Sequence, residues 1–164
     1  MKKLLTLLTI AVFSLGCATT NSTPKAEPGV IDFGDFSSQT LTTSAWDAFS
    51  DGNYEDAITY ADKCIEMYEE DAKAMQESLR LQVPSRATKS AEEIHANWAL
   101  NDVGTSYYIK GESLLKLGKK EEALAAYKVV MNEFYFAQTW DPKGWFWSPA
   151  EAADPKVTML SDDF

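Results

Sequence analysis

Leu114-Leu115-Lys116-Leu117-Gly118-Lys119-Lys120-Glu121-Glu122-Ala123-Leu124 is the stretch on which the reading of this chain turns. Leu114, Leu115 and Leu117 close an apolar helical stripe, and Gly118 follows directly. Glycine just past a helix adopts the left-handed backbone that satisfies the last carbonyls. Glu121 and Glu122 then form an acidic pair, which the positive end of a helix dipole favours in a first turn. Ala123 and Leu124 begin a new stripe. The stretch predicts two helices joined by a tight turn, packed antiparallel.

Upstream, Ser90-Ala91-Glu92-Glu93 is a capping box, with Ser at the N-cap and Glu three places on. The stripe Ile94, Trp98, Leu100, Val103, Tyr107, Gly111, Leu114 predicts one helix from there to about Leu117. Downstream, Ala123, Leu124, Tyr127, Val130, Met131 and Phe134 predict a partner helix from about Glu121 to Phe136. Trp140-Asp141-Pro142-Lys143-Gly144-Trp145-Phe146-Trp147 then reads as an aromatic loop with turn chemistry. Ser148-Pro149-Ala150-Glu151 opens a last short helix before the acidic tail Asp162-Asp163-Phe164.

The decisive stretch has an echo. Ala48-Phe49-Ser50-Asp51-Gly52-Asn53-Tyr54-Glu55-Asp56-Ala57-Ile58 has the same order of helix, glycine, acidic pair, alanine and aliphatic residue. A short helix from about Thr42 carries Ala45, Ala48 and Phe49. A second starts at Tyr54 and carries Ala57, Ile58, Ala61, Cys64, Ile65 and Tyr68, running to about Leu81 before Val83-Pro84 breaks it.

Gly52 and Gly118 lie 66 residues apart (118 minus 52), close to twice a period of about 34 residues. On these residues the chain resembles the tetratricopeptide-repeat (TPR) family. The resemblance implies an all-α fold of antiparallel helical hairpins, an α-solenoid over residues 41–138, with residues 139–164 as an aromatic-rich C-terminal cap and tail. Gly52 and Gly118 would turn the chain, Ala57 and Ala123 would sit where paired helices cross, Tyr54 and Tyr127 would fill the wedge between them, and Gly111 would mark a close approach. The spacing leaves room for a middle helical pair turning near residue 85. The resemblance also implies a protein or peptide partner in the groove lined by the first helix of each repeat. Groove positions would include Trp46, Ser50, Thr105, Tyr108, Glu112 and Lys116; alternatively these residues face solvent or another helix. Trp145 and Trp147 offer an aromatic platform for a protein, peptide or glycan, or else cap the last repeat.

The first residues carry a different message. Met1-Lys2-Lys3 is basic, and Leu4 to Leu15 is apolar except for Thr6, Thr9 and Ser14. This is the layout of an export signal, too short to span a bilayer. Ser14-Leu15-Gly16-Cys17 resembles a bacterial lipoprotein cleavage box, with Leu one place closer to Cys than usual. The resemblance implies a signal peptide over residues 1–16, lipidation of Cys17 with acyl chains such as palmitate, and a membrane anchor. Ala18 in place of an aspartate implies the outer membrane, facing the periplasm. Residues 17–40 are rich in Thr, Ser, Pro and Gly and read as a tether, with Ile31, Phe33 and Phe36 able to dock locally.

Composition excludes much. A net charge of −10 disfavours a nucleic-acid partner. With Cys17 lipidated, Cys64 has no partner and reads as a buried small hydrophobe; His95 is the sole histidine, so no metal site of Cys₂His₂ type forms. No phosphate-binding glycine loop and no hydrolase or metalloprotease motif occurs. Of the acidic pairs Glu69-Glu70, Glu92-Glu93, Glu121-Glu122 and Asp162-Asp163, two fall in the first turn of a predicted helix, where the helix dipole favours them. No cofactor, metal or catalytic residue is therefore expected, and the chain reads as a lipid-anchored envelope adaptor or assembly factor. The alternative is a glycan-binding lipoprotein or hydrolase using the tryptophan-rich end.

Overall fold

Each of the two glycine turns joins a pair of packed helices in the computed structural model, which describes residues 31–82 and 90–162. The elements are α1 (Ser38–Ser50), α2 (Tyr54–Gln82), α3 (Ala91–His95), α4 (Trp98–Lys116), α5 (Lys120–Glu133), β1 (Thr139–Asp141), β2 (Trp145–Trp147) and α6 (Pro149–Ser161). The leader, Cys17, most of the tether, the Val83-Pro84 break and the last two residues lie outside the described residues.

The two turns are built alike. Gly52 has φ 80° and Gly118 has φ 77°, the left-handed region. Asn53 N–H donates to the Ala48 carbonyl (2.8 Å) and Gly52 N–H to that of Phe49 (3.1 Å). Lys119 N–H donates to Leu114 (2.9 Å) and Gly118 N–H to Leu115 (3.1 Å). This double closure satisfies two orphan carbonyls at each helix end. The echo in sequence is thus an echo in backbone hydrogen bonding.

The hairpins stack directly. Helix α4 packs against both α1 and α2, α5 packs on α4, and α6 packs on α5 and α4. Among the described residues no further helical pair stands between the hairpins, where a middle pair turning near residue 85 had room. The extra chain goes instead into α2, whose 29 residues are about twice the 14 of α5, and into the link to α3. The apolar stripe of α2 persists through Ala72 and Leu79, which join the core of Leu100, Val103 and Phe134. A helix that keeps finding core to cover has no reason to end.

The long helix expected from Ser90 to Leu117 is two helices. Its capping box forms as read: Glu93 N–H donates to Ser90 Oγ (3.2 Å) and Ser90 N–H to Glu93 Oε2 (2.7 Å). The helix then breaks at Ala96-Asn97. There the Asn97 amide donates to the Glu93 carbonyl (2.8 Å) and the Asn101 amide to the Ile94 carbonyl (2.8 Å). Side-chain amides take the carbonyls that the next helical N–H groups would have used.

Small residues set the close contacts. A Cβ built on Gly111 would lie 2.6 Å from the Tyr127 ring, so α4 and α5 touch there only because position 111 has no side chain. Ala57 and Ala123 are fully buried, as expected for positions where helices cross, and so is Ala61. Helix α1 starts at Ser38, capped by Ser37, rather than near Thr42, and Phe33 docks on Tyr60 with ring centroids 5.8 Å apart. Cys64 is buried against Thr42, and burial pushes its thiol pKa up, which keeps it protonated and inert.

The C-terminal segment has two parts. Helix α6 has the predicted Ser148 cap and Pro149 start and buries Ala153 and Leu160 against the rest of the core. The aromatic loop is a β-hairpin in which Trp140 pairs with Phe146, closed by Gly144 N–H donating to the Asp141 carbonyl (2.9 Å). Among the described residues, no helix is long and apolar enough to cross a membrane.

Candidate functional site

The β-hairpin does not project into solvent as a free loop. Trp147 on β2 packs on Trp46 of α1 (centroids 6.3 Å apart) and on Tyr108 of α4 (5.3 Å). Thr139 on β1 hydrogen-bonds Thr105 of α4 through their hydroxyls. Gln138 N–H donates to Asn101 Oδ1 (2.9 Å). The hairpin therefore lies along the face that α1 and α4 present, and the space left between them is a cleft of about 1150 Å³.

Helix α1 forms one wall of this cleft with Ser38, Thr42, Trp46 and Ser50. The hairpin forms the other with Trp140, Phe146 and Trp147. Tyr68 of α2, Trp98 of α4 and His95 of α3 line it as well. Tyr68 and Trp98 meet edge to face at 5.5 Å, and Tyr68 is anchored by its hydroxyl, which donates to the Phe36 carbonyl (2.8 Å). His95 rests on Phe146 at 5.3 Å, and Phe146 on Trp140 at 5.0 Å. Six rings besides His95 thus surround the space, in three groups.

Asp102 sits between those groups. It lies one turn after Trp98 on α4, and Ser38 Oγ donates to its Oδ2 (2.5 Å). Burial raises its pKa above the ordinary carboxylate value, and the Ser38 hydrogen bond acts the other way. Among the described residues its Oδ1 has no hydrogen-bond partner, and the carboxylate has no ion pair. Asp47 and Asp141 also line the cleft, and among the described residues no Lys or Arg does. Some acids elsewhere do have cations: Lys110 meets Asp62 (2.6 Å), Lys156 meets Glu112 (2.5 Å), and Lys73 meets Glu69 (3.4 Å). No three His, Cys, Asp or Glu among the described residues lie close enough together to hold a metal ion.

Residues 104–129, from the middle of α4 through most of α5, match the family of the tetratricopeptide repeat. The α4–α5 hairpin is a tetratricopeptide repeat. No curated protein and no solved structure matches the chain. The fold is all-α and of tetratricopeptide type. The α1–α2 hairpin repeats the construction of the matched one, with the same glycine closure and a buried alanine five residues after the glycine.

Against this repeat, the predicted groove residues separate. Trp46, Ser50 and Trp147 line the cleft. Tyr108 stands behind Trp46 and Trp147, and burial together with Glu112 pushes its pKa up to about 12. Thr105 is buried under the hairpin. Glu112 faces inward, where Oε1 accepts from Tyr127 (2.6 Å) and pairs with Lys156 of α6. Lys116 is exposed beside the glycine turn, outside the cleft lining. Trp145 is exposed beyond the cleft, with Lys143 Nζ over its ring at 6.0 Å. Sequence reasoning missed Asp102, Trp98 and Tyr68 as site residues. A signal for Asp102 existed: it is the lone acid between Glu93 and Glu112, next to the core positions Leu100 and Val103.

Proposed function

We propose that the chain is a binding module whose tetratricopeptide-type scaffold presents the aromatic cleft to a partner protein of the bacterial cell envelope, serving there as adaptor or assembly factor. The observation that carries this reading is the cleft itself: rings of Trp46, Trp98, Trp140 and Trp147 converge on a space that the described residues leave open. Tetratricopeptide repeats commonly serve protein–protein contact, and large rigid rings bury area at low entropic cost. The lipid anchor is proposed from the basic start, the apolar run and Gly16-Cys17.

Affinity capture from the native envelope tests the module. A specific partner should be retained by the wild-type protein and lost with Trp98→Ala, a change at an exposed ring. Equal retention of every protein by both forms would refute the cleft as the contact. The anchor is tested separately, by labelling with radioactive palmitate. Cys17→Ser should abolish label and release the protein from membranes; retained label would place the lipid elsewhere.

A further inference from the structure

The cleft combines two properties that together narrow what it takes. Its rings offer electron-rich faces, and its three carboxylates, Asp102 partly buried among them, have no cation within reach among the described residues. A desolvated carboxylate beside aromatic faces favours an organic cation, since ring quadrupole and anion attract the same charge. A metal ion is disfavoured, because no cluster of ligating groups is present among the described residues. At about 1150 Å³ the space exceeds the roughly 300–1,000 Å³ of typical small-molecule sites, which suits several residues of an extended chain.

Resting on the module reading above, we infer that the cleft takes an extended peptide segment of a partner by a cationic side chain, an arginine or lysine seated on Asp102 between Trp98 and Trp46. Asp102 is placed for this. Ser38 fixes one of its oxygens, leaving Oδ1 to accept from the incoming cation. Trp98 flanks it one turn earlier on α4, and Trp46 lies two turns beyond Ser38 on α1. Asp47 and Asp141 add negative potential at the sides, and the net charge of −10 steers a basic segment toward the molecule.

The full chain, panned against a random octapeptide display library at low salt, tests this. Enriched peptides should carry arginine or lysine. The best of them should bind tenfold or more weakly when its cation is replaced by citrulline or norleucine. Asp102→Asn and Trp98→Ala should each weaken it at least fivefold while thermal melts show both variants folded, and added salt should weaken binding to the wild type. Enriched neutral or acidic peptides that bind Asp102→Asn as tightly as wild type would overturn the cationic ligand and leave the module reading standing. No enrichment, with or without binding of chitohexaose in a parallel titration, would overturn both.

Discussion

Gly111 and Gly118 look alike in sequence but act through different physics. Gly118 needs its left-handed backbone, and nothing stands within 4 Å of a Cβ placed there. Gly118→Ala should therefore cost about 1–2 kcal/mol, the strain of an alanine in that conformation. Gly111 needs empty space, because the Tyr127 ring is already in contact. Gly111→Ala should cost more, about 3 kcal/mol or above, since ring and helix must both shift. Denaturant melts of the two variants check the order, and a milder effect at Gly111 would refute the close approach. Asp102 gives a prediction of opposite sign. Its folded pKa is raised by burial, so the native state holds its proton more tightly than the unfolded chain. Its contribution to stability therefore falls as pH rises through that raised value. Asp102→Asn should melt at or above the wild-type temperature at pH 7, with the difference shrinking as pH falls below the ordinary carboxylate value. A melting temperature well below wild type at pH 7 would mean that the ionised carboxylate is structural.

Among the elements, the β-hairpin and α3 share one side chain as a tie to α4. Asn101 donates to the Ile94 carbonyl and accepts from Gln138 N–H, so it ties the end of α3 and the approach to β1 onto α4. Asn101→Ala leaves both backbone groups without these partners and should cost about 1–3 kcal/mol. Hydrogen exchange should quicken in residues 91–96 and 138–147 while the α1–α2 hairpin keeps its protection; uniform protection in the variant would refute the tie. This dependence also marks how far periodicity reaches. The apolar stripe from Ile94 to Leu114 is continuous across the break at Asn97, so a stripe alone reads as one helix. The capping box at Ser90, the Ser148 cap and both glycine closures were legible, because each rests on residues within six positions of one another. The hairpin was legible only as a turn, since nothing in Trp140–Trp147 states what its rings will pack against.

For the whole molecule, the question is what ends the stack. Helix α6 takes the place that the first helix of a next repeat would occupy, burying Ala153 and Leu160 over α5 and holding Glu112 through Lys156. Its outer face shows Glu151, Asp154 and Thr158 to solvent. Removing residues 148–164 should uncover apolar surface on α5. The shortened chain should self-associate in size-exclusion chromatography and lose several kcal/mol of stability, at about 25 cal/mol per Å² exposed. A monomer of undiminished stability would refute the capping role. The cleft is a property of this same scale. Its walls come from α1, α2, α3, α4 and both strands, and its residues range from Ser37 to Trp147.

Taken alone, the sequence determined the helical hairpins, the glycine hinges and the all-α class, while the close approach at Gly111 was an implication of the family resemblance. These follow from interactions between residues near in the chain, whose spacing the backbone periodicity fixes. Only the tertiary structure decided that the two hairpins are immediate neighbours, that α6 closes the stack, and that Asp102 lines one cleft with rings from five elements. The physical reason is that burial belongs to a position in space. Whether Trp147 covers a repeat or walls a cleft depends on Trp46 and Tyr108, about 101 and 39 positions away, and no local pattern encodes that meeting.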